Sequence, residues 1–333
     1  MRGKGINYDT GAQLTGGCTR KTFDSATVRR ELEVIADELH CTAVRISGSD
    51  PDRLAIAGEH AAAVGLEVWL SPFPCDLTTE QMLPLFAECA ERAEKIRQSG
   101  AKVVLIVGGE LSIFSRGFLP GEDLFQRTAQ LTDAGPDLPW LLGSVPPKLN
   151  LFLGEVMDTV RPIFGGKVTY ASLPYEKVDW TLFDFVAVDA YRSAHNAATF
   201  RDEVRGLQQY GLPVVVTEFG GSTYRGAGDR GGRGWMILDR DQDPWRLDGD
   251  YVRDEDEQST YFRELVTVFD EEGVDTAFWF TFAGYNFPHH PEPRRDLDLA
   301  SYGVIRLNPD RTWSRKAVFQ TLSTTYSTMG ASS

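Results

Sequence analysis

Short apolar runs rich in β-branched residues alternate, from one end of the chain to the other, with stretches whose apolar positions recur every three or four residues. The first pattern predicts strands and the second amphipathic helices. The strand segments are "KGINY" (4–8), "TAVRIS" (42–47), "LEVWLS" (66–71), "KVVLIVG" (102–108), "KVTYAS" (167–172), "FVAVDAY" (185–191), "PVVVTE" (213–218) and "DTAFWFTF" (275–282). Helices fall between most of them. Asp24 precedes a stretch with Val28, Leu32, Ile35 and Leu39 on one face, and Asp50-Pro51 reads as an N-cap followed by a first-turn proline. Thr78 and Gln81 form a capping-box pattern ahead of Met82, Leu85, Phe86, Cys89 and Ala93, with Gly100 as the stop. Further helices are expected at 121–134, 150–163, 199–210, 256–272 and 314–325. The helix between strands five and six must be short, because only "LPYEKVDWTLFD" is available.

Eight strands with intervening helices predict an α/β fold: a single (β/α)8 TIM barrel over 1–326, with long loops after strands seven and eight and a flexible tail at 327–333. A doubly wound open sheet is the alternative. No G-x-G-x-x-G follows the first strand, and "GAGDRGGRG" (226–234) is far from a strand-to-helix turn, so a dinucleotide site is not indicated. The seventh connection, from Phe219 to about Asp256, is long enough to be a lid, a binding loop or a disordered insert. Its Arg225, Arg230 and Arg233 either grip a substrate carboxylate or phosphate or pair with Asp229, Asp239, Asp241 and Asp243 inside the loop. "YNFPHHPEPRRDLDL" after strand eight is expected as the opposite wall. Its adjacent His289 and His290 diverge and read as solvated side chains rather than metal ligands.

Composition narrows the function classes. The chain has 333 residues, a hydrophobic content of 42% and a formal net charge of −14. It is a globular protein with a sizeable core, and its charge argues against nucleic acid or an anionic membrane surface as main partner. No apolar stretch follows the basic residues of "MRGKGINYDTG", so no signal peptide or membrane span begins there and a cytoplasmic location is expected. The four cysteines, Cys18, Cys41, Cys75 and Cys89, contain no C-x-x-C pair, which points away from a zinc cluster or redox dithiol. Cys75 alone follows a strand closely enough to reach a cleft. No cofactor and no metal are called for, and oligomeric state is not legible.

Functional groups of a (β/α)8 barrel collect at the C-terminal ends of its strands. Those positions hold Asn7, Tyr8 and Asp9 (strand one), Arg45 (two), Asp76 (three), Glu110 (four), Asp189 and Tyr191 (six), Glu218 (seven) and Trp279 (eight). Trp69 on strand three, Tyr285 after strand eight and Arg225 in the long loop complete the candidate binding set. Glu110 and Glu218 both terminate apolar runs and are expected to face one another across the barrel mouth. Glycoside hydrolysis needs such a pair, one carboxylic acid to protonate the departing oxygen and one carboxylate to attack the sugar carbon or activate water. Arg45 and Tyr191 are expected to hold Glu218 ionised, and the face of Trp279 to pack on a sugar ring.

Glu at the ends of strands four and seven, Arg on two, Tyr on six and Trp on eight resemble the clan A glycoside hydrolases. "FDFVAVDAYR", "GLPVVVTEFGG" and "DLASYGVIRLNPDRTWSRKAVFQTL" support the likeness, which spans nearly the whole chain. The resemblance implies a retaining enzyme with Glu110 as acid/base, Glu218 as nucleophile and a small glycoside or oligosaccharide as substrate. One departure stands out. Many clan members carry Asn immediately before the acid/base, where its amide contacts the sugar 2-hydroxyl, whereas this chain reads "GGE" with Gly109 there. A transferase, isomerase or lyase reusing the carboxylate pair, and a sugar-binding pseudoenzyme, are therefore the other readings. A phosphate-site barrel is a further one, because Gly220-Gly221 follows strand seven; the matching Gly-rich loop after strand eight is absent.

Overall fold

The structure, a computed structural model, describes residues 1–310 and 312–329. Among the described residues, eight strands form one parallel sheet: β1 (Gly3–Asp9), β2 (Ala43–Gly48), β3 (Glu67–Pro72), β4 (Val103–Gly109), β5 (Lys167–Ala171), β6 (Val186–Asp189), β7 (Val214–Phe219) and β8 (Thr276–Trp279). Their order is β5-β4-β3-β2-β1-β8-β7-β6. Ser172, just beyond β5, bridges in parallel to Val188 of β6 and exchanges backbone hydrogen bonds with the Ala187 carbonyl and the Asp189 amide, at 3.1 and 3.0 Å. The result is a nearly closed (β/α)8 barrel, and each predicted strand lies within it.

Within the chain two compact units are distinguishable by their internal packing. The first comprises 1–8, 33–44 and 190–333. Here β1 pairs with β8 and β8 with β7. Gly3 and Gly5 of β1 leave room that β8 side chains fill, since a Cβ there would stand 2.2 Å from Thr276 and 2.4 Å from Phe278. The helices Glu255–Glu271 and Ala317–Thr328 pack together, with Phe262 and Tyr326 ring centroids 5.6 Å apart. Residues 314 and 315, expected to open that last helix, instead belong to a strand, Trp313–Arg315, that pairs antiparallel with Ile305–Leu307. Ser327 and Thr328 of the expected tail end the helix, and 330–333 lie outside the described residues.

The long connection after β7 has its own small core. A helical turn at Gly228–Arg233 leads to a two-stranded ribbon, Leu238–Asp239 against Arg246–Leu247. Tyr224, Ile237 and Leu247 bury themselves with Leu297 and Leu299, so the segments after β7 and β8 join in one cluster rather than standing as separate walls. Arg253 ties the two together through Asp296 and Asp298, at 2.8 and 2.7 Å, and the buried Lys316 ammonium meets Asp298 at 2.8 Å.

The second unit comprises 9–32 and 45–189, with β3 paired to β4 and β4 to β5, the latter pairing shifting register between Ile106 and Gly109. Asp50 caps the helix Pro51–Ala63, and Gln81 accepts from the Thr78 amide at 2.9 Å at the start of Thr79–Gln98. The helix expected at 150–163 begins earlier, at Val145, with Pro146 and Pro147 in its first turn, where a missing N–H costs nothing. Between β5 and β6 only short helical turns form, Pro174–Glu176 and Trp180–Leu182. Two short helices were not expected: Leu111–Phe114 and Leu138–Gly143.

Candidate active site

In the second unit, β4 ends in a turn built around Glu110. Gly108 has φ +87°, and Glu110 itself sits in the left-handed region at φ 48°, ψ 36°. A non-glycine residue there is uncommon and costs on the order of 1–3 kcal/mol unless its surroundings hold it. The Glu110 amide donates to the Ala171 carbonyl of β5 at 2.9 Å, and its own carbonyl accepts from Ile113 and Phe114, both at 3.0 Å, opening the helix Leu111–Phe114. A carboxylate oxygen of Asp189, buried at the end of β6, lies within 4.8 Å of one of Glu110.

Gly109 explains itself sterically. A Cβ on it would stand 3.0 Å from a guanidinium nitrogen of Arg45 and 3.2 Å from the Ala171 methyl. Arg45 is buried, its Nε donating to Ser71 Oγ at 3.3 Å. The space an asparagine side chain would need is occupied by Arg45.

Asp76 and Trp69, also in this unit, are committed elsewhere. Asp76 forms an ion pair with the buried Arg127 and accepts from Thr15 at 2.5 Å; burial works to raise its carboxyl, and those two donors hold it below its ordinary value. Trp69 is fully buried against Phe185, centroids 5.0 Å apart, with its indole N–H on Glu67 at 2.9 Å. It has no exposed face for a substrate, which corrects its assignment as a binding residue. The Cys75 thiol is pushed up to about 11, first by burial and then by Asp76.

In the first unit, Glu218 is the penultimate residue of β7 and half-buried. The Tyr191 hydroxyl donates to its Oε2 at 3.0 Å, and its carbonyl accepts from the Ala190 amide at 2.8 Å. Asn7 lies beneath, its amide nitrogen donating to the Thr217 carbonyl at 3.0 Å and, more weakly, to those of Phe278 and Trp279. It clamps three strand ends. Tyr8 is fully buried beside Phe282, so it too is a packing residue rather than a substrate contact. Tyr285 is half-buried in the loop after β8.

Trp279 requires the clearest correction. It is fully buried, its rings meeting Phe219 and Phe262 edge-on at 5.4 and 5.5 Å, and its N–H donates to the Tyr302 carbonyl at 3.1 Å. No face is open to a sugar. Phe280 is half-buried with its ring 5.9 Å from Tyr302, which in turn meets Tyr191 at 6.1 Å. Phe280 is thus the aromatic that the strand-end pattern "AFWFT" offered and the reading of Trp279 passed over.

No family model matches the chain and no curated protein matches it by sequence. Solved structures do match in shape. A β-glucosidase, 1317, aligns over 98% of both chains with a TM-score of 0.57 at 10% identity. Gas2 bound to a compound aligns over 98% of this chain and 65% of its own, TM-score 0.54 and 14% identity. Fpglu1 from Fervidobacterium pennivoraus aligns over 92% and 84%, TM-score 0.52 and 11% identity. The fold is glycosidase-like.

On this glycosidase-like barrel, Arg225 and Arg230 of the long loop find partners other than Asp229, Asp239, Asp241 and Asp243. Arg225 pairs with Asp254 at 3.4 Å and lines a cavity of about 480 Å³ with Arg192, Glu257, Tyr261 and Glu264. Arg230 lies over the Tyr224 ring, and Arg240 over Trp235 and Trp245 at 4.8 and 5.5 Å, where planar guanidinium groups stack well. His289 meets Asp296 at 2.9 Å, and His290 accepts from the Glu292 amide. No helix among the described residues is long and apolar enough to cross a membrane.

Proposed function

We propose that this protein is a retaining glycosidase of small glycosides or oligosaccharides, with Glu110 as acid/base and Glu218 as nucleophile. The observation that carries the reading is Glu110 itself: a carboxylate at a strand end of a glycosidase-like barrel, kept in left-handed backbone. Strain of this kind gathers where function requires it. Two further contacts support the reading. Tyr191 donates to Glu218 and orients its carboxyl. Asp189 places a second carboxyl close to that of Glu110.

In the first step Glu110 protonates the leaving oxygen while Glu218 attacks the anomeric carbon. In the second, water deprotonated by Glu110 releases the sugar from Glu218. Aryl glycosides spanning the common hexoses and pentoses test this: Glu218→Gln and Glu110→Gln should each lose the activity, and full activity in either variant rules the assignment out.

Gly109 favours a second reading, a non-hydrolytic enzyme that reuses the same two carboxylates. With Arg45 in place of an asparagine amide, a 2-hydroxyl has lost one source of transition-state contact. That reading expects no turnover of simple aryl glycosides and conversion of a small cyclic metabolite that again depends on Glu110 and Glu218.

A further inference from the structure

Behind the Glu110 turn lies a carboxylate that the strand-end pattern did not reveal. Glu176 is fully buried, as are Tyr170 and Ser112. Its Oε1 accepts from the Ser112 amide at 3.1 Å and the Ser112 hydroxyl at 2.6 Å, its Oε2 from the Leu173 amide at 2.9 Å, and both oxygens lie 3.0 Å from the Tyr170 hydroxyl. Tyr170 Oη in turn accepts from the Leu111 amide at 2.8 Å. The first two amides after Glu110 are therefore both satisfied by one buried Glu–Tyr pair. At the far end of the same turn Arg127 donates to the carbonyls of Ile113 and Phe114, at 2.5 and 3.0 Å.

The proton inventory fixes the direction of each bond. Ser112 Oγ gives its proton to Glu176, so it accepts from Tyr175, whose hydroxyl is 2.9 Å away. Tyr170 accepts from Leu111, so its own proton goes to Glu176. Every named contact of the carboxylate is thus a donor, the arrangement that suits an anion. Burial acts against this and outweighs the donors, raising the Glu176 carboxyl, although Ser112, Leu173 and Tyr170 work to lower it. The Tyr175 hydroxyl is raised by burial, then by the charge of Glu176 and also by that of Glu110, so the cluster reaches the environment of the Glu110 carboxyl as well as its backbone.

We infer that Glu176, acting through Tyr170 and Ser112, is a positioning residue that holds Glu110 in its left-handed conformation and aims its carboxyl for proton transfer. Packing alone gives no reason for a carboxylate here. A buried anion without a cationic partner is costly, and an apolar side chain would fill the volume without that cost. What an apolar side chain cannot do is accept from the amides that the turn leaves over.

The inference rests on the acid/base reading of Glu110, and its test separates the two. In Glu176→Gln an amide NH2 faces some of these donors, and in Tyr170→Phe the Leu111 amide loses its acceptor. With a glycoside whose aglycone needs protonation, kcat should fall about 10- to 100-fold in both variants, the cost of misplacing a proton donor, with KM within about twofold. With a dinitrophenyl glycoside, which departs without acid help, kcat/KM, which reports only the steps up to departure of the leaving group, should stay within about threefold, and Glu176→Asp should recover part of the first loss. Equal losses of kcat/KM on both substrates, tracking a lower melting temperature, would mean a purely structural role and overturn the proposal. A second readout needs no turnover: hydrogen exchange at the Leu111 and Ser112 amides should quicken at least about tenfold in Glu176→Gln. Unchanged protection overturns the positioning role even in an active enzyme; faster exchange in a protein that hydrolyses no glycoside upholds it and removes only the acid/base reading.

Discussion

Replacing Gly109 probes the departure that separates this chain from the glycosidases it resembles. An alanine Cβ there would come within 3.0 Å of the Arg45 guanidinium and 3.2 Å of the Ala171 methyl. The guanidinium is the end of a long side chain and can yield a few tenths of an ångström, but Arg45 is only 1% exposed, and the Ala171 methyl is fixed to its strand. Overpacking a filled interior costs about 1–3 kcal/mol, and partial yielding of Arg45 puts Gly109→Ala at about 1–2 kcal/mol. At about 2.1 cal/mol/K of unfolding entropy per residue, 333 residues give about 0.7 kcal/mol/K, so the melting temperature should fall by about 1.5–3 °C. Gly109→Asn, which adds an amide to the same space, should fall further and should not raise turnover. Calorimetry and urea denaturation at neutral pH measure both. A Gly109→Ala variant that melts at or above wild type, or an asparagine variant that gains activity, would refute the steric account of "GGE".

Other predictions follow from the same contacts. Tyr191→Phe removes a hydrogen bond to a carboxylate, worth about 1.5–3 kcal/mol, so kcat/KM on an aryl glycoside should drop about 10- to 150-fold while the fold survives; an unchanged value would detach Tyr191 from the chemistry. Asp296 should support stability in a pH-dependent way. Burial tends to raise its carboxyl, but Arg253 and His289 outweigh this and hold it below its ordinary 3.8. The unfolded chain then takes up the proton first on acidification, so this contribution is complete above 3.8 and fades as pH falls through the lower folded value. The stability gap between wild type and Asp296→Asn should accordingly shrink from neutral pH to about pH 3 in urea titrations; a gap that widens would reverse the sign. Cys75, with its thiol near 11, should resist iodoacetamide at neutral pH in the native protein and react on unfolding; rapid native alkylation, read by mass spectrometry, would contradict its burial.

Much of the barrel was legible because the strands advertise themselves. "VVLIVG" and "PVVVTE" are buried on both faces and read as continuous apolar runs, and Asp50-Pro51 and Thr78-x-x-Gln81 mark helix starts by local chemistry alone. Positions decided by distant contacts were not legible. Trp279 and Phe280 are adjacent aromatics at the end of β8, and only the packing of Phe219 and Phe262 determines which of them is buried. The loop after β7 has no periodicity, and its order comes from residues such as Leu297 and Leu299 more than forty positions later. Glu176 sits in a short polar connection where a carboxylate is unremarkable by sequence; its importance comes from the left-handed turn at Glu110, which no propensity announces. The two strand-end glutamates were readable because a carboxylate at the end of an apolar strand needs a reason to be there.

The central claim is that Glu218 attacks sugar and Glu110 manages the proton. Trapping the covalent intermediate with a fluorinated, activated glycoside and locating the label by peptide mass spectrometry tests it most directly. The account predicts one sugar per chain, attached to Glu218, with no label in Glu218→Gln and slow release in Glu110→Ala. Label on any other residue, or steady turnover with inversion at the anomeric carbon and no covalent species, would contradict it.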